Sequence, residues 1–238
     1  MLKLICRSLG LEVRKRNFKS SEALRLASMM SSLGINVVVD VGAHVGRYRD
    51  LLRSGGYQGR IISIEPLESA HSRLLERALC DPQWTVFRRC AVADSSGGID
   101  LRVSADEVSS SVMELSVTGE AMAPSASLSR VVRVPSITIE QLLAEVCGES
   151  SRCWLKLDVQ GLEVELLSGT VLGQSRLVAV QAEASLVELY RGQGMFLDLL
   201  ALLRTRGFAI WGLLPGFSVR SSGRMLQVDV VAVREAVE

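Results

Sequence analysis

Acidic residues stand at the ends of apolar segments in four places along this 238-residue chain. Asp40 follows VVV and precedes the turn VGAHVG, and Glu65 closes RIISIE. Asp158 closes CWLKLD, and Glu183 lies within VQAEAS. Carboxylates in such places can accept hydrogen bonds from hydroxyl groups, balance a cationic ligand, or take up a proton during a reaction.

The glycine-rich turn at residues 42–46 narrows the type of ligand. Its GxxxG spacing differs from the GxGxxG of dinucleotide-binding folds and from the GxxxxGK[ST] of phosphate-binding loops. No Lys or Arg lies inside the turn to meet a pyrophosphate, whereas Asp40 suits a cation. Gly42 and Gly46 allow the backbone to approach a ligand closely. Glu65 is placed to accept hydrogen bonds from ribose hydroxyls. An adenosine ligand with an ammonium and a sulfonium, S-adenosylmethionine, matches both acids.

The elements that carry these acids alternate between apolar strands and helical segments. An alternation of this kind predicts a parallel sheet covered by helices on both faces. The last two strands have no helix between them, so we expect them to pair antiparallel. The predicted fold is α/β, with a doubly wound, mostly parallel seven-stranded, Rossmann-like sheet and an antiparallel terminal hairpin. The predicted strands are residues 37–41, 60–66, 84–93, 153–161, 177–185, 208–216 and 224–234, with a short extra strand at 99–104 and a Ser-rich loop at about 105–130.

The N-terminal region differs in composition from the rest. We predict a helical extension at residues 1–34, whose helix at 21–33 is capped by Ser20 or Ser21 and ends at Gly34, followed by a cofactor-binding catalytic domain at 35–238. The first twenty residues hold six Lys or Arg and one acid, with apolar residues near helical spacing. They could pack on the domain with a solvated basic face, or contact an anionic or lipidic substrate or a membrane surface.

Composition bounds the partners and the location. A formal net charge of +1 provides no strong field toward nucleic acid. Five scattered cysteines without a CxxC pair, and only two histidines, indicate a reducing compartment and no zinc pattern. No apolar run reaches 18 residues, and the start lacks the pattern of a secretory signal. We therefore predict a cytoplasmic protein, with the membrane surface as an alternative suggested by the basic start.

Several segments resemble the FkbM-type methyltransferases, and the resemblance extends from about residue 36 to residue 234. LKLDVQGLE is its most specific part, and the family usually carries Asn where this chain has His44. The resemblance implies a class I methyltransferase fold and O-methylation of sugars or natural-product hydroxyls. The matching segments are VVVDVGAHVG, GRIISIEPLESAHSRL, the RRCAVADSSG region, SSSVMEL, WLKLDVQGLEVELLSG, AEASLVELYRGQGMFLDLLALLRTRGF and GRMLQVDVVAVR.

Catalytic roles are predicted for Asp158 and Glu183. Asp158 could hold the methionine ammonium or act as the base, or it could be a buried Asp satisfied by backbone amides. Glu183, on the acceptor side, is the other candidate base. The two could bind a divalent cation together, but no third ligand is evident, so we predict no metal. Glu163, in the first turn of the next helix, favours the helix dipole as readily as a functional role.

The remaining candidates divide into cofactor and substrate contacts. We expect His44 to pack along the methionine tail rather than act as a base, and the family match favours serine hydroxyls near residue 110 as donors to the cofactor carboxylate. The predicted cofactor-binding residues are Asp40, Gly42, His44, Gly46, Glu65, Pro66, Ala91, Val92, Ser110, Ser111 and Asp158. The predicted substrate-binding residues are Glu183, Tyr190, Arg191 and Asp229.

The leading hypothesis is an S-adenosylmethionine-dependent O-methyltransferase acting on a sugar of a glycolipid or glycosylated natural product. Methylation of another small molecule is an alternative. Methylation of nucleic acid is disfavoured by the near-neutral charge and the lack of a basic stripe with aromatic residues. A non-catalytic cofactor-binding protein would keep Asp40 and Glu65 but lack acids on the fourth and fifth strands, where Asp158 and Glu183 stand.

The cofactor hypothesis predicts a selective effect on thermal stability. S-adenosylhomocysteine should raise the melting temperature because it binds only the folded state, whereas NAD and ATP should not. Thermal unfolding with each ligand at the same concentration measures this difference, and preferential stabilisation by NAD would favour an oxidoreductase instead.

Overall fold

The computed structural model describes residues 17–18 and 20–235, so the predicted basic segment at the start of the chain lies almost entirely outside the described residues. The helices are α1 (Glu22–Ser32), α2 (Arg47–Gly55), α3 (Glu68–Ala78), α4 (Val117–Met122), α5 (Ile139–Val146), α6 (Glu163–Ser168) and α7 (Phe196–Thr205). The strands are β1 (Val37–Val41), β2 (Arg60–Ile64), β3 (Trp84–Val86), β4 (Ala91–Val92), β5 (Ile99–Ser104), β6 (Leu128–Val134), β7 (Ser136–Ile137), β8 (Cys153–Leu157), β9 (Leu177–Ser185), β10 (Phe208–Pro215) and β11 (Gln227–Arg234).

The main sheet has seven strands in the order β10-β11-β9-β8-β1-β2-β3. Strands β3, β2, β1, β8 and β9 run parallel, and β11 pairs antiparallel with both β9 and β10. This confirms the predicted doubly wound sheet with its antiparallel terminal pair. The chain leaves β1 toward β2 on one side and returns to β8 on the other, so the strand order reverses between β1 and β8. Ligands of doubly wound sheets bind at such a switch point, outside the carboxyl ends of the strands.

Two segments differ from the prediction. The third strand, predicted at residues 84–93, is divided: β3 joins the main sheet, while β4 pairs with β7 in a separate two-stranded sheet. Between them the chain turns outward at Arg88 and Arg89, where the Arg88 guanidinium pairs with Glu145 at the surface. The Ser-rich loop contains α4 and a short 3-10 turn, and β6 after it pairs antiparallel with β5.

Both faces of the central strands are buried, as the continuous apolar runs predicted. Every residue of β1 and of β8 is buried. On one face Leu26 and Met30 of α1 pack with Val38 and Trp154, and on the other face α5, α6 and α7 cover the sheet. The Ser21 hydroxyl accepts the Leu24 amide at the start of α1, which confirms one of the two predicted caps.

Helix α1 therefore shares a hydrophobic core with the sheet, although it lies in the predicted N-terminal extension. The division of the chain at residue 34 stays a prediction. Among the residues that the structure describes, no helix has the length and apolar character needed to cross a membrane.

Gly46, the second glycine of the GxxxG turn after β1, lies where a side chain would not fit. Its φ is +82°, and an added Cβ would lie 2.7 Å from the indole ring of Trp84. Gly56 also has a positive φ, +98°, but an added Cβ there would meet no atom within 4 Å. The two glycines thus share a left-handed backbone and differ in the space available.

This difference predicts unequal effects of alanine at the two glycines. Gly56→Ala should lower the free energy of unfolding by about 1–2 kcal/mol, the cost of the left-handed conformation alone. Gly46→Ala should lower it by about 2–5 kcal/mol, because overpacking against Trp84 is added. Denaturant unfolding of both variants measures the difference. Equal losses of unfolding free energy would show that the Trp84 side chain moves aside without destabilising the protein.

Candidate active site

A cavity of about 260 Å³ opens at the carboxyl ends of β1, β2 and β8, at the switch point of the sheet. Two predicted residues, Gly46 and Ser111, lie outside its lining. The other predicted cofactor-binding residues line it together: Asp40, Gly42, His44, Glu65, Pro66, Ala91, Val92, Ser110 and Asp158.

The loop after β1 forms one wall of the cavity and is held by its neighbours. The amides of Gly42 and Ala43 both donate to the carbonyl of Ile64 at the end of β2, at 3.0 Å. Gly42 has φ +80°, and an added Cβ would lie 2.0 Å from the carbonyl oxygen of Asp158. Gly42 thus allows the loop to rest on the end of β8, and this contact brings Asp40 and Asp158 to one cavity.

His44 has a left-handed backbone with φ 47°. Asn and His are the non-glycine residues that tolerate this region well, which is consistent with His44 standing where the family usually has Asn. Burial lowers the pKa of His44, and the nearby Arg47 lowers it further. The ring is therefore neutral near pH 7. This state agrees with packing along a ligand and does not by itself indicate a role in proton transfer.

Glu65 is a buried carboxylate with both oxygens already engaged. One oxygen accepts the amide of His44 and the other accepts the amide of Leu67, each at 2.8 Å. Burial raises its pKa to about 7 although these two hydrogen bonds lower it. Each carboxylate oxygen has a second lone pair, so Glu65 is fixed in orientation and can still accept hydrogen bonds from ligand hydroxyls.

Asp40 is almost fully buried, and its carboxylate accepts a hydrogen bond from the Ser63 hydroxyl at 3.3 Å. Burial raises its pKa to about 7, and the positive charge of Lys156 only partly opposes this rise. A cationic ligand in the cavity would favour the ionised form of Asp40.

Lys156, which the sequence analysis missed, lines the cavity together with Arg47 and brings a positive charge to the acids at the end of β8. Its ammonium lies 2.8 Å from Asp229 Oδ1 and 3.7 Å from Asp158 Oδ2. Burial lowers its pKa, but the charges of Asp158, Asp229 and Glu183 outweigh burial and leave the pKa well above its ordinary value. Lys156 is therefore a permanent cation. Its signal in the sequence is a single Lys inside the apolar strand CWLKL.

Gln160, also missed, joins the two predicted catalytic acids. Its amide nitrogen lies 2.6 Å from Asp158 Oδ1 and 3.2 Å from Glu183 Oε2. Asp158 lines the cavity, whereas Glu183 lies behind it and also accepts a hydrogen bond from Gln227. Burial raises the pKa of Glu183 well above its ordinary value, and the charge of Asp158 raises it further.

The short loop between β8 and α6 holds Gln160 in place. The two oxygens of Glu163 accept the amides of Val159 and Gly161, at 2.9 and 3.0 Å. The Ser111 hydroxyl donates to the carbonyl of Gln160 at 2.6 Å. Glu163 and Ser111 thus shape the loop from outside the cavity, a supporting position rather than one of direct ligand contact.

The predicted substrate residues are placed at different distances from the acids. Asp229 on β11 is paired in register with Glu183 on β9 and bonds Lys156. Tyr190 is buried, and its hydroxyl lies 2.9 Å from Gln160 Oε1. Arg191 is exposed, with its guanidinium 3.7 Å from Glu114. Among the described residues no cluster of three or more His, Cys, Asp or Glu is arranged to hold a metal ion.

The cavity matches the chemistry of S-adenosylmethionine at each of its parts. Asp40 and Asp158 can balance positive charge, and Glu65 can accept the ribose hydroxyls. Ala91, Val92 and other apolar residues provide the surface that a flat base needs. The doubly wound sheet with this acid-lined cavity at its switch point is therefore the arrangement expected of an S-adenosylmethionine-dependent methyltransferase.

The model of the FkbM methyltransferase domain matches residues 40–210, and the chain belongs to this family. No significant match is found among curated proteins.

The solved structures that are similar to this chain include three methyltransferases. A Mesorhizobium loti S-adenosylmethionine-dependent methyltransferase is 12% identical, with TM-score 0.47 over 92% of this chain and 100% of that one. The Burkholderia thailandensis 1,6-didemethyltoxoflavin-N1-methyltransferase is 13% identical, with TM-score 0.45 over 92% and 81%. Magnesium protoporphyrin IX methyltransferase from Synechocystis is 13% identical, with TM-score 0.45 over 89% and 76%. Sequence identities of 12% and 13% do not indicate which acceptor this chain methylates.

The position of Glu65 predicts its contribution to cofactor affinity. Glu65→Ala should weaken the binding of S-adenosylhomocysteine by about 1–3 kcal/mol, because the ribose hydroxyls lose a charged acceptor. Glu68→Ala, at an exposed acid three residues later, is the matched control and should bind normally. Isothermal titration calorimetry measures both, and unchanged affinity in Glu65→Ala would remove this residue from the site.

Proposed function

We propose that this protein transfers a methyl group to a hydroxyl of a sugar on a glycolipid or glycosylated natural product. The observation that supports it most is the pair Asp158 and Glu183, joined by Gln160 at the edge of the cavity. A hydroxyl loses its proton as it accepts a methyl group, and a carboxylate at this edge can take that proton. The sugar is suggested by the family resemblance.

The chain's own residues have separate tasks in this proposal. S-adenosylmethionine supplies a methyl group on a positively charged sulfur. Glu65 binds the ribose, and Asp40 with Asp158 balances positive charge beside it. The remaining requirement is alignment of the acceptor oxygen with the methyl carbon, which the end of β8 provides by fixing Asp158 and Gln160.

Glu183 is our preferred proton acceptor. A base works best when its pKa lies near the working pH, and burial has raised that of Glu183 from the usual carboxylate range. Lys156 lowers the same pKa and so favours the ionised carboxylate that a base requires. Glu183 does not line the cofactor cavity, so the acceptor proton would reach it from the acceptor side or through Asp158.

The location is also proposed from the sequence alone. We infer a cytoplasmic protein, and the basic start at residues 1–20 would bring it to an anionic membrane surface that carries a lipid-linked acceptor. Mass spectrometry of cell extracts incubated with isotope-labelled S-adenosylmethionine identifies the acceptor, and a labelled product without a sugar would contradict the proposal.

Substitution of the two acids predicts different kinetic results with that acceptor. Glu183→Gln should keep cofactor affinity and lower turnover by roughly 10²–10⁴-fold, because the amide cannot take a proton. Asp158→Asn should weaken both cofactor binding and turnover, since Asp158 lines the cavity. Glu165→Gln, at an exposed acid on α6, is the control and should behave as the wild type.

The pH profile tests the same assignment. A base acts when deprotonated, so the rate should fall as the pH drops through the pKa of Glu183. That pKa is raised above the ordinary value of 4.5, so the loss should begin at a higher pH than for a solvated carboxylate. A flat profile would indicate positioning without proton transfer, and full activity in both acid variants would contradict their assignment.

A further inference from the structure

A second cavity of about 530 Å³ lies beside the cofactor cavity, within the size range of small-molecule sites. The segment at residues 108–113 separates the two. Its side chains alternate: Val108, Ser110 and Val112 line the cofactor cavity, and Ser109, Ser111 and Met113 line the second cavity. One thin wall is therefore shared by both cavities.

The charged groups of the second cavity balance one another, and both of its arginines pair with one acid. Arg102 lies 2.6 Å from a carboxylate oxygen of Glu114, and Arg191 lies 3.7 Å from the other. Glu120 also lines the cavity, so two guanidiniums face two carboxylates. Neither an anionic nor a cationic ligand is favoured by this balance, whereas the groups still offer strong hydrogen-bond donors and acceptors.

Ser104 and Ser109, two of the serines that line the second cavity, can act as hydrogen-bond acceptors toward a ligand. Ser104 and Ser109 donate their protons to Asp106, at 2.7 and 3.1 Å. Their oxygen lone pairs stay available to a ligand. A ligand hydroxyl group both donates and accepts, so it can bond a serine oxygen and a guanidinium at once. This set of partners fits an uncharged ligand with several hydroxyl groups.

Tyr190 connects the second cavity with the catalytic acids. Its hydroxyl lies 2.9 Å from Gln160 Oε1, and the amide nitrogen of Gln160 bonds Asp158 and Glu183. Gln160 lines the cofactor cavity, and Tyr190 lines the second cavity. The two side chains form the point where a ligand in the second cavity comes nearest to the acids.

We propose that the second cavity binds the non-reacting part of an uncharged carbohydrate acceptor, whose reacting hydroxyl replaces the Tyr190–Gln160 hydrogen bond and reaches the acids. This inference rests on the proposed function and adds the place and polarity of the acceptor. In this proposal the Gln160 side chain turns aside from Tyr190, and the acceptor oxygen takes its place beside Asp158.

The test uses the full chain saturated with S-adenosylhomocysteine and a panel of neutral methyl glycosides as probes. Saturation-transfer NMR should detect binding of at least one glycoside by the wild type. Arg102→Ala and Arg191→Ala should each weaken that binding by about tenfold or more, because a charged donor is lost. Arg133→Ala is the matched control. Arg133 lies on β6, the strand paired with the β5 strand that carries Arg102, and its guanidinium pairs with Asp100, but it does not line the second cavity.

The rise in melting temperature with S-adenosylhomocysteine shows that each variant folds and binds cofactor. If Arg102→Ala fails to fold, the exposed Arg191 still provides the comparison.

Equal glycoside binding in all variants, or no glycoside binding by cofactor-saturated protein, would overturn the second cavity as the acceptor site. Labelled methyl transfer to a sugar at rates unchanged in both variants would overturn the cavity alone and leave the proposed function standing. Transfer only to an acceptor without a sugar would overturn both.

Discussion

The contact between Lys156 and the acids around it is the interaction on which the rest of the site depends. Parallel strands end at one edge, and this chain places Asp158, Glu183 and Asp229 there on three neighbouring strands. Carboxylates placed close together repel one another, which destabilises the site. A single buried ammonium at 2.8 Å from Asp229 and 3.7 Å from Asp158 offsets part of this penalty.

The acids on the cofactor side of the site have less compensating positive charge beside them than Asp158 and Asp229 have from Lys156. Asp40 and Glu65 have pKa values raised to about 7, mainly by burial, and neither forms an ion pair with an arginine among the described residues, although Arg47 also lines the cavity. A ligand that brings its own positive charge restores the ionised forms. Near neutral pH, the ligand-free protein therefore favours a cationic ligand over an anionic one such as a pyrophosphate. This preference agrees with a sulfonium cofactor.

Positioning depends on backbone contacts that leave little freedom. Gly42 rests on the carbonyl of Asp158, while Glu163 and Ser111 fix the loop that carries Gln160. Gln160 itself has a left-handed backbone, with φ 56°. Its side-chain amide bonds both Asp158 and Glu183.

Much was determined by the sequence itself. Alternating apolar strands and helices specify the doubly wound sheet, because strands buried on both faces must be apolar throughout, and the acids at their ends then share one edge. Asp40, Glu65 and Asp158 were found in this way. The tertiary structure alone decided which side chains face the cavity. Lys156 reads as one polar residue in an apolar strand, and only the neighbouring strands show its partners. Gln160 was missed because its place in the site depends on contacts with Glu183 and Tyr190, which lie far from it in the chain. Gly46 and Ser111 were predicted as cofactor contacts, and only the tertiary structure places them outside the cavity lining, Gly46 against Trp84 and Ser111 against the Gln160 carbonyl.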